Sequence, residues 1–240
     1  MKTIIRGGTI ISASDECKAD ILIDDERISQ IGINLSTVEV DQIIDVYGKL
    51  ILPGGVDPHT HFDLPMFNTI SSDDHYTGHK AAAFGGTTTV LDFVPQSGDD
   101  LKKDVSTWLG KSEPKAAIDY GFHMNISHFN DTVADQIPSL IDEGITTLKV
   151  FTAYNSTLRL HDLDIFKVMR IAKDNGFLTM LHAENGDVIE VLVQEALKNG
   201  KTSPEWHAHT RPAWGAVEAV VRGISLAAQA DTSLYIVHMN

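Results

Sequence analysis

Cysteine is almost absent from this sequence. Cys17 is the only one in 240 residues. No internal disulfide can form, and a reducing, cytoplasmic compartment is expected. Positive charge is scarce: Lys and Arg number 19 against 33 Asp and Glu, for a net charge of −14. That balance argues against nucleic acid or an anionic membrane surface as partner. No apolar run is long enough to span a bilayer. The opening residues Met1-Lys2-Thr3-Ile4-Ile5-Arg6-Gly7-Gly8 lack the apolar core of a signal peptide. Low-complexity segments are missing too. What remains is an ordinary globular composition, 42% apolar, that can bury a core in one large domain or in one large and one small.

The chain changes style near Leu50. Before it, Thr9-Ile10-Ile11, Ile21-Leu22-Ile23 and Ile28-Ser29-Gln30-Ile31 read as short strands, with Gly7-Gly8 and Asp24-Asp25-Glu26 as punctuation. Residues 1–50 are expected to form a small β unit. From 51 to 240, strand and helix patterns alternate. Strands are predicted at Leu50–Val56, Thr87–Phe93, Ala117–Met124, Thr146–Phe151, Phe177–His182 and Ser233–His238. Helices are predicted at Asp74–Phe84, Leu101–Lys111, Thr132–Glu143, Asp162–Asp174, Asp187–Asn199 and Ala213–Ala230. Such alternation implies an α/β fold with parallel strands and crossover helices. Two architectures fit: an open doubly wound sheet or a (β/α)₈ barrel. No glycine-rich dinucleotide fingerprint opens the first helix, which weakens the first of these.

Chemistry-bearing residues gather where the strands end. Asp57-Pro58-His59-Thr60-His61 follows an apolar run. His59 and His61 sit at i and i+2 of an extended segment, so both side chains point to one side, as two metal ligands must. Lys149 lies in Ile145-Thr146-Thr147-Leu148-Lys149-Val150-Phe151, otherwise a largely apolar strand. A buried lysine needs a partner or loses its charge. Lys149 is therefore either one half of a salt bridge or an amine of depressed pKa that can combine with carbon dioxide. His182 and His238 each end an apolar strand. Singly, each could be a core histidine bonded to a carbonyl; together with the others they match a barrel whose site lies at the C-terminal strand ends. His207-Ala208-His209 falls after Pro204 and is read as surface or helix cap.

These residues resemble a known family. Gly54-Gly55-Val56-Asp57-Pro58-His59-Thr60-His61 resembles the first-strand signature of the amidohydrolase superfamily. Ala81-Ala82-Ala83-Phe84-Gly85-Gly86-Thr87-Thr88, Asp119-Tyr120-Gly121-Phe122-His123, Leu148-Lys149-Val150-Phe151, His182-Ala183-Glu184-Asn185-Gly186-Asp187 and Arg211-Pro212 resemble its hydantoinase/dihydropyrimidinase branch. The likeness covers nearly the whole chain, in order. It implies a (β/α)₈ TIM-type barrel, incomplete here, beside a small N-terminal β-sandwich portion. It further implies that His59, His61, a carbamylated Lys149, His182 and His238 hold two divalent metals, zinc in the usual case. A hydroxide between them would attack the amide carbonyl of a small cyclic ureide. Tyr154 would hydrogen-bond the developing oxyanion, and Leu64 and Phe151 would line an apolar substrate pocket. The full-length protein is expected to be a homo-oligomer, tetramer or dimer.

Two other readings stay open on sequence alone. One is an allantoinase- or dihydroorotase-like relative; Leu91-Asp92-Phe93 and the run from His182 to Asp187 favour the hydantoinase type. The other is a non-catalytic family scaffold, which would lack the ligands this chain keeps. The sequence stops at Asn240, before the family's last two strand-helix units and its final metal-binding aspartate. Residues 1–240 alone are therefore expected not to hydrolyse efficiently.

Overall fold

The computed structural model describes residues 1–66 and 68–239; Asn240, the last residue of the expected barrel portion, lies outside them. The chain divides into two compact units, Met1–Gly55 and Val56–Asn240.

The first unit is built on a five-stranded mixed sheet. Its strands are β1 (Lys2–Ile11), β2 (Glu16–Asp24), β3 (Arg27–Gly32), β4 (Gln42–Asp45) and β5 (Leu50–Ile51). β1 pairs antiparallel with β2 and parallel with β4 and β5. Gly7-Gly8, read from sequence as punctuation, lies inside β1. The register slips between Ile5 and Gly8, and Gly7 has φ +78°. This is a bulge that needs a glycine, and the Gly7 N–H donates to Asp20 Oδ1 at 2.9 Å.

The second unit opens with β6 (Gly55–Thr60) and the hairpin β7 (Pro65–Met66) and β8 (Thr69–Ile70). There follow α1 (His75–Phe84), β9 (Thr87–Val94), α2 (Leu101–Ser112), β10 (Asp119–Asn125), α3 (Asp131–Gln136) and a 3₁₀ turn at Ile137–Glu143. β11 (Thr147–Phe151), α4 (Asp162–Asn175), β12 (Leu178–His182), α5 (Gly186–Lys198), α6 (Trp206–His209), α7 (Ala213–Ala230) and β13 (Leu234–Ile236) complete it. The expected strand Leu50–Val56 is divided. Leu50–Ile51 joins the small sheet, and the large sheet begins at Gly55, because Pro53 and Gly54 interrupt the run with no ladder donor and no side chain to pack. His59 is thus within a strand rather than after one. The expected helix Thr132–Glu143 is likewise divided at Ile137, next to Pro138, which cannot donate to the preceding turn. The remaining helices agree with expectation to within a residue or two at each end. Among the described residues no helix is long and apolar enough to cross a membrane.

The large sheet has the order β6-β9-β10-β11-β12-β13, which is chain order. Every pairing from β9 to β13 is parallel. Its outer face packs on the helices through Val94, Phe122, Met124, Leu148, Val150, Ile165, Met169 and Leu181. Its inner face carries a smaller apolar group, Phe93, Met180 and Val237. The sheet is strongly curled. Flat, its two edge strands would stand about 24 Å apart, yet the rings of His59 on one edge and His238 beyond the other are 5.1 Å apart.

Between this sheet and α1 and α2 lies a fully buried polar group. Asp92 Oδ2 accepts from Trp108 Nε1 at 3.0 Å. His75 Nε2 is 3.7 Å from the same oxygen, beyond hydrogen-bond reach. Burial pushes the Asp92 carboxyl up to about 7, against the hydrogen bond from Trp108. The native state alone holds this proton between about pH 4 and 7, so stability falls as pH rises through that window. Asp92→Asn can keep the Trp108 bond and has no charge to bury. We expect it to stabilise the protein on the order of 3 kcal/mol at pH 8 and not at pH 4, read by urea denaturation at both values.

Candidate active site

The curl brings together side chains from four strands. His59 is in β6 and His61 follows it; Lys149 is the central residue of β11; His182 ends β12; His238 lies just past β13 with φ +33°. They line one cavity of about 500 Å³ with Leu64, Phe151 and Tyr154. The eight residues singled out from the sequence therefore share a single cavity.

Lys149 is 2% exposed. Its Nζ sits 3.2 Å from His59 Nε2 and over the rings of Phe93 and Phe151, at 4.2 and 5.2 Å. No carboxylate pairs with it among the described residues, so the salt-bridge reading left open by the sequence finds no support. Burial lowers its pKa to about 7, which leaves a large share of neutral, nucleophilic amine near neutrality. Three of the imidazoles, His59, His61 and His238, are held neutral as well. Burial first, and the nearby Lys149 second, push His59 down to about 3 and His61 to about 4. His238 is lowered by burial and by His182. Neutral imidazoles keep the lone pairs that a metal ligand needs.

The nitrogens come in two close pairs: His59 Nε2 with Lys149 Nζ at 3.2 Å, and His182 Nδ1 with His238 Nε2 at 2.9 Å. Two nitrogens on one tetrahedral zinc stand about 3.3 Å apart, so His182 and His238 fit a divalent cation as a pair, while the amine of Lys149 is not counted among such nitrogen ligands. The histidines alone do not form a finished ligand group. Among the described residues no three His, Cys, Asp or Glu side chains are arranged to hold a metal.

Neighbouring residues orient these groups, and the sequence reading gave none of them a role. His182 Nε2 donates to Glu184 Oε2 at 2.8 Å, and Arg211 Nε lies 3.9 Å from the other carboxylate oxygen. The bond places the ring proton on Nε2 and leaves the lone pair on His182 Nδ1, the atom 2.9 Å from His238 Nε2. His123 Nε2 donates to the Pro58 carbonyl at 2.9 Å, and its Nδ1 takes the Thr147 hydroxyl. It thereby ties the strand of His59 to that of Lys149. The signal was present: Glu184 and His123 both lie in motifs quoted above, but their partners are set by the fold.

Tyr154 stands in the loop after β11 with φ +65°. Its carbonyl accepts from the N–H groups of Thr157, Leu158 and Arg159 at 2.9, 3.0 and 3.2 Å. The loop is clamped to α5, where Arg159 pairs with Asp187 and Asn155 Nδ2 donates to the Gly186 carbonyl at 3.2 Å. A side chain at Gly186 would run into Ala153 and Thr152, with Cβ 2.9 and 3.0 Å from their backbone atoms. Burial, then Glu184, raises the Tyr154 pKa, so the phenol stays a hydrogen-bond donor. His207 and His209 lie in the short helix α6, on the surface as expected; His207 borders a neighbouring hollow with Arg211.

Comparison with known proteins identifies the relatives. No protein-family model matches the chain. The D-hydantoinase of Geobacillus stearothermophilus is 45% identical over 242 residues, covering all of this chain and 51% of that protein. The chain is a homologue of the hydantoinases and dihydropyrimidinases. The D-hydantoinase of Streptomyces coelicolor is 43% identical over 244 residues, covering 100% of this chain and 52% of its own length. The crystal structure of the dihydropyrimidinase of Brevibacillus agri superposes with a TM-score of 0.96 at 47% identity, over 98% of this chain and 51% of that one. The family likeness read from the motifs is borne out. The chain spans about half the length of the curated relatives it matches.

Proposed function

We propose that the protein carrying this chain is a metal-dependent hydrolase that opens the cyclic amide bond of hydantoins or dihydropyrimidines. The observation that carries this is the convergence of His59, His61, Lys149, His182 and His238 on one cavity, around a buried lysine with no carboxylate partner among the described residues. Homology to hydantoinases along the full chain supports the reading. The relatives reported above bear hydantoinase or dihydropyrimidinase names, and no observation favours the allantoinase-like, dihydroorotase-like or scaffold alternatives.

In this reading His59, His61, His182 and His238 hold two divalent cations, zinc by the chemistry of the donors. Lys149 joins them as a carbamate, formed when its amine adds to carbon dioxide and releases a proton. Such cations polarise a carbonyl and acidify water towards neutrality. The chain's own residues do the rest. Leu64 and Phe151 exclude water from the ring. Tyr154 donates to the oxygen on which negative charge develops. Glu184 and His123 hold their partners in register. Residues 1–50 form part of a small β-sandwich, and 51–240 supply the first six strand-helix units of a (β/α)₈ barrel. The full-length protein works in the cytoplasm as a homo-oligomer on a small cyclic ureide.

The test is made on freshly purified full-length protein. Elemental analysis should find about two divalent ions per chain, and dihydrouracil or hydantoin should be opened. Chelation should abolish the activity and divalent metal restore it. Metal-free protein with full activity would refute the proposal.

A further inference from the structure

Asn125 is a buried polar residue for which the chemistry above has no use. It ends β10 and is 6% exposed. Its register partner across the sheet is Lys149, and partners in register present their side chains to the same face. The amide accordingly lines the cavity with His59, Lys149 and Tyr154. Its Oδ1 is buried with no hydrogen-bond partner among the described residues. Buried polar atoms are nearly always satisfied, so an orphan in a cavity wall points to a missing partner.

The surroundings say what that partner is. Leu64, Pro65, Met66, Pro95 and Leu158 make much of this wall apolar, so a strongly charged ligand edge would gain little from it. A carboxamide offers one donor and one acceptor side by side. A cyclic ureide or imide offers the complement, a ring N–H beside a C=O, and the two edges can form paired hydrogen bonds. We propose that Asn125 is a specificity-determining residue that hydrogen-bonds the N–H/C=O edge of a neutral cyclic amide in this cavity. This deepens the hydrolase reading and rests on it.

A residue that serves a ligand and not the fold has a recognisable signature. Replacing it by an apolar side chain of similar size removes an unsatisfied polar group from the free protein, so thermal stability holds or rises while ligand binding weakens. Asn125→Leu and the smaller Asn125→Ser are compared with wild type as full-length, metal-loaded protein. For Asn125→Leu the expected result is a KM for hydantoin and dihydrouracil about 10- to 100-fold higher, corresponding to one or two lost hydrogen bonds. Metal content should be unchanged and Tm equal or higher, with Asn125→Ser intermediate in KM. A KM within twofold of wild type in both variants would overturn the proposal. So would a fall in metal content, which would place the amide on the Lys149 ligand set, or a fall in Tm in both variants, which would make it structural. A wild-type protein that opens neither ring would fail the hydrolase reading instead. Calorimetry with succinimide, a neutral cyclic imide, would then still decide Asn125: equal binding to wild type and Asn125→Leu, or none to either, overturns it.

Discussion

Replacing Lys149 with alanine is expected to remove metal and activity from the full-length protein together. Lys149 Nζ touches His59 directly, and its strand neighbours that of His182. With it goes the anionic oxygen ligand that a carbamate would supply, and with the metal would go the acidification of water towards neutrality. The loss should be several orders of magnitude in kcat. Lys149→Arg should not rescue it, because a guanidinium stays protonated and cannot add to carbon dioxide. Retained metal and full turnover in either variant would make Lys149 structural. Stability should move the other way. A buried amine lowered to about 7 is protonated in the unfolded chain and not in the native one between about pH 7 and 10.5. Its cost is present in full below about pH 7 and fades as the pH rises towards 10.5. Lys149→Met should therefore be more stable than metal-free wild type at pH 7, with the gap closing by pH 10. Denaturation in carbon dioxide-free buffer at the two pH values reads this directly.

Much of this arrangement could be read before any coordinates. Parallel strands buried on both faces are written as short apolar runs, and the helices between them carry capping residues such as Asp74, whose side chain accepts from the Thr77 N–H. That pattern was enough to find the strands carrying Lys149 and His182. It misplaced the first one because Leu50–Val56 is a single apolar run in which only Pro53 and Gly54 mark the change of sheet. Partnerships across the fold were not legible. Nothing local says that Lys149 lacks a carboxylate partner among the described residues, that His123 reaches Pro58, or that Glu184 accepts the hydrogen bond of His182 Nε2. The orphaned Asn125 and the buried Asp92 are further examples. Each depends on which strands become neighbours and how far the sheet curls, and curling is what carries His59 to His238.

Tyr154→Phe should lower kcat about 10²–10³-fold while leaving metal content unchanged. The ring packs beside His182 with centroids 5.1 Å apart, so phenylalanine can keep the packing and lose only the hydroxyl. No hydrogen bond engages that hydroxyl among the described residues, which leaves it free to donate to a ligand in the cavity. Its direction is set by the backbone: a non-glycine residue at positive φ is strained, and the three N–H groups on its carbonyl together with the clamp on Gly186 and Asp187 hold it there. A donor fixed in advance stabilises developing charge without reorganising. Because such charge belongs to the transition state and not to the bound ring, KM should change little. Loss of metal in Tyr154→Phe, or a rise in KM with kcat intact, would instead assign Tyr154 to holding the site together or to binding the ring.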